Sequence, residues 1–204
     1  MLEIFIPGFK LLELKYLILD LNGTLATDGV IPEKVIQKLN KIKSILNIFI
    51  ITAGTHGKLE EISEKIGANL IKSTELEKKW DKYYPLITES PPKSITVYKK
   101  GIIKWEENYL LKAKSPLLIK IESEKGTEQK RRFVNKIEPK KCICMGNGSN
   151  DILMFKDCAL SIAIIGKEGL STQALKNADI LVKDICDALD MLSYTKRIIA
   201  TLRR

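Results

Sequence analysis

The sequence predicts an α/β fold in which a parallel sheet lies between two layers of helices. Two observations carry this. Apolar runs of strand length alternate with amphipathic segments of helical length along most of the 204 residues, and alternation of that kind implies right-handed crossovers between parallel strands. Several of the runs also end on a residue able to do chemistry, at Asp20, Thr52 and Gly146, which the fold would bring to one edge beyond the carboxyl ends of the strands.

Taken in order, LEIFI (2–6) and YLILD (16–20) read as strands. PEKVIQKLNKIKSI (32–45) reads as a helix with Pro32 near its start, and LNIFIIT (46–52) as a buried strand. KLEEISEKIG (58–67) is helical and closes on Gly67, before a short strand NLI (69–71). Further on, GTEQKRRFVNKI (126–137), SNDILMFKD (149–157) and STQALKNA (171–178) read as helices. Between and after them KCICMG (141–146), ALSIAII (159–165) and DILV (179–182) read as strands, and the chain runs on as helix.

Residues 73–116 break this rhythm. They hold Trp80, Tyr83, Tyr84, Pro85, Pro91 and Pro92, then SITVYKKGIIKWEE (94–107), whose alternation suggests a hairpin turning around Lys100 and Gly101. The expected organisation is a core of residues 1–72 and 117–204, with 73–116 as a small inserted α+β subdomain over the same sheet edge. A stretch this long without the surrounding pattern is either a working element or surface decoration.

Composition narrows the class. An apolar fraction of 45% suffices for a packed core. No apolar run approaches the roughly 18 residues of a membrane span, and the first residues lack the basic-then-apolar layout of a signal peptide, so a cytoplasmic protein is expected. Four cysteines without a Cys-x-x-Cys pair, beside a single histidine, argue against a disulfide framework and against structural zinc. Cys142 and Cys144 flank Ile143 and are expected on one face of a buried strand. The net charge of +9 suits a phosphate-bearing ligand, although the basic residues are interleaved with glutamates as on any solvated surface.

The strand ends suggest phosphoryl chemistry. A carboxylate at Asp20 can serve as nucleophile or magnesium ligand, and the turn Asn22-Gly23-Thr24 can offer backbone N–H groups to a phosphoryl oxygen. The Thr52 hydroxyl and the amide of Ala53 can hold the same group, and Lys130 can neutralise its charge. MGNGSND (145–151) puts Asn147, Asn150 and Asp151 on a glycine-rich turn, where oxygen ligands for magnesium are expected. Each signal alone is weak; four in this order are specific.

Asp20-Leu21-Asn22-Gly23-Thr24-Leu25, Thr52, Lys130 and Gly146-Asn147-Gly148-Ser149-Asn150-Asp151 resemble motifs I to IV of the haloacid dehalogenase-like (HAD) hydrolase superfamily. DLNGTLA, ITAGTHG, GTEQKRRFV and MGNGSNDILMFKDCALSIAIIG are most similar to its small soluble P-type ATPase-like proteins. The resemblance covers nearly the whole chain except the insertion, and implies a Rossmann-like three-layer core with a cap-like insert between motifs II and III. It implies Asp20 as the phosphate-accepting nucleophile and magnesium ligand, and a second ligand in the Asn22 main-chain carbonyl. Thr52 and Lys130 would bind the phosphoryl group, with Asp151 completing the metal site. The implied cofactor is Mg2+ and the implied partner a small phosphorylated molecule.

Two positions depart from the hydrolytic phosphatases of that superfamily. Asn22 stands where they carry the acid that protonates the leaving group, and Asn147 stands where they carry the first acidic metal ligand of motif IV. An amide cannot shuttle a proton, and general acid–base catalysis is worth about 10²- to 10⁴-fold. The expectation is therefore a slow phosphohydrolase favouring good leaving groups; the alternative is a weakened pseudo-phosphatase that binds phosphate or a nucleotide. His56, the lone histidine, is a further candidate for contact with the leaving group. Nucleic-acid binding, suggested by the charge and by the aromatics of the insertion, lacks any dedicated motif and ranks last. Oligomeric state is left open.

Overall fold

The computed structural model describes residues 1–53, 59–72, 96–97, 103–104, 116–122 and 125–204. Among these, seven strands form one parallel sheet: β3 (Tyr16–Asp20), β4 (Asn47–Thr52), β5 (Asn69–Lys72), β8 (Leu117–Lys120), β9 (Cys142–Gly146), β10 (Leu160–Ile164) and β11 (Ile180–Val182). Their spatial order is β11-β10-β9-β3-β4-β8-β5, with every pair parallel. The expected α/β class is observed.

Alternate residues of the central strands enter different cores, which is what a sheet covered on both faces requires. Leu17, Leu19, Ile48, Ile50, Ile143 and Met145 belong to one cluster. Tyr16, Ile18, Phe49, Ile51, Cys142 and Cys144 belong to the other, so the two cysteines do share a buried face.

Helices α1 (Glu33–Ile42), α2 (Leu59–Ile66), α6 (Ile185–Ser193) and α7 (Lys196–Leu202) cover the first face through Val35, Leu39, Ile62, Leu189 and Ile198. A Lys38–Asp190 ion pair ties α1 to α6. Helices α3 (Gly126–Lys136), α4 (Ile152–Asp157) and α5 (Thr172–Lys176) cover the second through Phe133, Val134, Met154, Phe155 and Ala174.

Two strands escaped the sequence reading. LEIFI is indeed a strand, β1 (Leu2–Ile6), but it does not join the parallel sheet. It pairs antiparallel with β2 (Lys10–Leu14) as a separate hairpin. The signal was the Pro7-Gly8 dipeptide: Gly8 takes φ +72 and Phe9 N–H donates to Ile6 O at 3.0 Å, closing a turn that proline and glycine favour. The inner face, Ile4, Ile6, Leu12 and Leu14, is buried in the first core. The second missed strand, β8, is only four residues long and lies between β4 and β5.

Of the expected insertion, β6 (Thr96–Val97) and β7 (Ile103–Lys104) pair antiparallel, with Thr96 opposite Lys104. The rest of 73–116 lies outside the described residues, apart from Pro116.

Candidate active site

The order of the parallel sheet changes direction at β3. The chain proceeds one way to β4, and returns on the other side for β9, β10 and β11. Loops leaving β3 and β9 therefore diverge and open a crevice at their carboxyl ends, the usual ligand position in such sheets. Asp20 is the last residue of β3, Thr52 the last of β4 and Gly146 the last of β9. The register sets Asp20 opposite Ile51, and Leu19 opposite Met145.

Lys130 reaches this edge from α3 on the second face. Gly126, Lys130, Phe133 and Val134 form the buried stripe of that helix, the i, i+4, i+7, i+8 spacing of a core-facing surface. The lysine is 0% exposed, and its Nζ donates to Asp20 Oδ1 at 2.6 Å and to Asp151 Oδ1 at 2.5 Å. A buried ammonium is costly unless paired and hydrogen-bonded. Here burial works against the charge, but the Asp151 and Asp20 carboxylates outweigh it and hold the Lys130 pKa above the ordinary lysine value.

Asp20 is 6% exposed. Burial pushes its carboxyl up to about 7, and Asp151 adds to the rise, against the opposing pull of Lys130 and of the hydrogen bond from the Leu21 N–H. Asp151, fully buried, spends its other oxygen on the motif IV turn: Oδ2 accepts from Asn147 N–H at 3.0 Å and Gly148 N–H at 2.9 Å. That packing needs Gly146, where a Cβ would fall 2.2 Å from Asp151 Oδ2.

The remaining expected residues divide by what they touch. Asn22 Nδ2 donates weakly to Thr52 Oγ1 at 3.4 Å, which joins the two loop bases, and its buried Oδ1 accepts no hydrogen bond from the described residues. Ala53 lies against the start of α3, since a Cβ on Gly126 would be 3.2 Å from the alanine methyl. Gly23 and Thr24 turn inward to hold the loop. The Gly23 N–H donates to Ala26 O at 2.9 Å, and the Thr24 hydroxyl donates to Asn147 Oδ1 at 3.2 Å. His56 lies outside the described residues.

Sequence reasoning missed one element altogether. The loop after β10, Gly166 to Ser171, reaches the same edge. Glu168 Oε1 accepts from Asp28 N–H at 2.9 Å and Gly169 O accepts from Asn147 Nδ2 at 2.9 Å. Its signal was GKEG, two glycines directly after a strand on the edge already marked by Asp20 and Gly146.

As a donor set, Asp20, Asn22, Asn147 and Asp151 carry carboxylate and amide oxygens with no imidazole or thiolate among them, which fits a hard cation such as magnesium. The buried Asn22 Oδ1, without a partner among the described residues, is a further oxygen there. Chemically, the arrangement can present a carboxylate oriented by a fixed ammonium to an electrophile arriving at the strand ends.

Comparison with known proteins follows the fold. The chain superposes on a hydrolase assigned to subfamily III A of the HAD superfamily, from Legionella pneumophila, with a TM-score of 0.52 and 13% identity over 93% of this chain and 87% of that one. It superposes on the cobalt-bound deoxy-D-mannose-octulosonate 8-phosphate phosphatase of Haemophilus influenzae, with a TM-score of 0.56 and 11% identity over 94% of each chain. For 3-deoxy-D-manno-octulosonate 8-phosphate phosphatase of Yersinia pestis the TM-score is 0.55, at 12% identity over 92% of this chain and 85% of that one. The chain thus has the fold of the HAD hydrolases. No protein-family model matches it. In sequence it is 48% identical, over 64 residues, to the uncharacterized protein MJ0073 of Methanocaldococcus jannaschii, a match spanning 31% of this chain and 69% of that protein. The chain belongs to the same family as this archaeal protein.

Proposed function

We propose that the protein is a slow, magnesium-dependent phosphohydrolase acting through an aspartyl phosphate on a small phosphorylated molecule with a good leaving group. The observation that carries this reading is the Lys130 ammonium fixed between Asp20 and Asp151 at the divergence of β3 and β9. A module that only binds phosphate has no need of a carboxylate held in that way. Two of the structures that share the fold are named as phosphatases of an 8-phosphate, which supports hydrolysis of a small phosphorylated molecule; the preference for a good leaving group rests on Asn22 alone.

Lys130 holds one oxygen of Asp20, and the other attacks phosphorus. The Asp20–phosphorus bond forms as the bond to the leaving group breaks, and that group departs with the electron pair. Asn22 cannot supply it with a proton, so diphosphates, acyl phosphates and phenyl phosphates are favoured over sugar phosphates. Water then attacks the phosphoryl group, losing its proton to solvent, and Asp20 leaves as the free carboxylate. Thr52, at the end of β4, is within reach of Asn22 and orients the phosphoryl oxygens.

Bound magnesium would supply charge neutralisation to the transferring group. Asp20 and the Asn22 main-chain carbonyl would hold it directly. Asp151 and Asn147, whose side-chain oxygens are engaged inside the protein, would complete the site beside it. The P-type ATPase-like resemblance fits the missing acid, since a nucleoside diphosphate departs without protonation.

Release of phosphate from p-nitrophenyl phosphate, acetyl phosphate and ATP, with and without magnesium, tests the proposal. Asp20→Asn should abolish it. A second reading, a phosphate- or nucleotide-binding pseudo-phosphatase, is favoured by the amides at Asn22 and Asn147, and predicts no release from any of the three while phosphate still binds.

A further inference from the structure

Asn147 is placed to do something other than ligate a metal. Its side-chain amide is used at both ends: Oδ1 accepts from the Thr24 hydroxyl at 3.2 Å, and Nδ2 donates to Gly169 O at 2.9 Å. Its main chain is used as well, the carbonyl accepting from Ser171 N–H at 2.8 Å and the N–H donating to Asp151 Oδ2. The residue therefore touches three loops, those that follow β3, β9 and β10.

The contact with the first loop is close. Gly23, at φ +75, has no room for a Cβ, which would fall 2.3 Å from Asn147 Nδ2, and a Cβ on Gly166 would fall 2.8 Å from Gly23 O. At the tip of the same loop, Asp28 (φ 51) and Gly29 (φ 75) form a tight turn closed by Thr27 and Val30, and Glu168 takes the Asp28 N–H. The segment 21–30 is thus pinned to the 166–171 loop at its base by Asn147 and at its tip by Glu168.

We infer that Asn147 is a positioning residue: its amide latches the turn after Asp20 to the 166–171 loop, and so fixes the backbone of Asn22 to Thr24 beside the nucleophile. The chemistry demands an amide. The Gly169 carbonyl can only accept, so it needs a donor, while the Thr24 hydroxyl needs an acceptor; a carboxylate serves the second and repels the first. On this view the departure at position 147 is a requirement of the latch rather than a decayed metal ligand. The catalytic consequence rests on the phosphohydrolase reading, but the latch itself does not.

The test is amide hydrogen exchange over residues 21–30, without magnesium, in the wild type and in Asn147→Asp, Asn147→Ala, Glu168→Ala and Glu168→Gln. Both Asn147 variants should exchange about tenfold faster in that segment, as expected for the loss of one hydrogen bond closing a local opening. Glu168→Ala should accelerate exchange at Asp28 to Val30, and Glu168→Gln, which keeps an acceptor, should restore it. Glu168 is exposed, so its variants test the latch even where an Asn147 variant fails to fold. In phosphate release the Asn147 variants should lose kcat with KM little changed.

Unchanged exchange in the Glu168→Ala and Asn147 variants overturns the inference. So does an Asn147→Asp protein of wild-type exchange that binds magnesium more tightly by calorimetry, which would make position 147 a ligand site. Faster exchange in a protein whose wild type releases no phosphate upholds the latch and sinks the phosphohydrolase reading alone.

Discussion

Lys130 Nζ lies 2.6 Å from Asp20 Oδ1 with both groups withdrawn from solvent, an ion pair joining the fifth residue of a helix to the last residue of the central strand. Removing the cation leaves two buried carboxylates facing each other. Lys130→Met should cost about 3–5 kcal/mol of stability, the range for breaking one partner out of a buried pair. Urea unfolding measures it, and a loss below 1 kcal/mol would mean that water already reaches the pair. The variant should also release no phosphate.

Asn22→Asp restores an acid beside the nucleophile. It should raise turnover most for substrates with poor leaving groups, by up to about 10²-fold, and least for acetyl phosphate. The ratio of rates on the two substrate types is the readout; an equal rise on both would point to metal binding instead of proton transfer.

Gly23 must be glycine for two independent reasons, its positive φ and the absence of space before Asn147. Gly23→Ala should destabilise the protein by about 2 kcal/mol or more, since the left-handed conformation alone costs an L-residue roughly 1–2 kcal/mol. Gly67→Ala is the control: it shares the positive φ, but a Cβ there meets none of the described residues within 4 Å. The difference between their thermal midpoints isolates the steric part.

Glu138 predicts the acid limb of stability. Its carboxyl is held below the ordinary 4.5, first by the Lys141 ammonium and also by the Tyr16 hydroxyl, against the cost of burial. The folded pKa is thus the lower one. The contribution is complete above pH 4.5 and disappears as pH falls through the folded value. Because the group is partly exposed, with a side-chain accessibility of 32%, the effect is modest. Thermal midpoints measured from pH 6 down to pH 3 should fall less steeply in Glu138→Gln.

Removing magnesium with a chelator should abolish phosphate release and lower the thermal midpoint, because an ion that binds only the folded chain stabilises it by mass action. Asp20→Asn should show a smaller midpoint change on adding magnesium. An equal response in both proteins would place the ion elsewhere.

Much of this was legible in one dimension. Alternating apolar runs specified the sheet and its helices, because burial on both faces leaves a local signature in each strand. The ends of those runs specified Asp20, Thr52 and Gly146 as neighbours, because parallel strands share an edge. The hairpin at the N-terminus was less legible: LEIFI looks the same whether it pairs with a parallel or an antiparallel partner, and only the Pro7-Gly8 turn distinguishes them.

By itself, then, the sequence determined the fold class, the edge at which chemistry can occur and the lysine that faces it, since each depends on periodicity or on a residue's place within its own element. Only the tertiary structure decided that Asp151 shares Lys130 with Asp20, that Asn147 meets Gly23, Thr24 and Gly169, and that Glu168 meets Asp28. Those contacts join loops separated by up to 140 positions, as between Asp28 and Glu168, and a hydrogen bond between distant loops leaves no mark in the local pattern of either. It depends on where the sheet sets their ends.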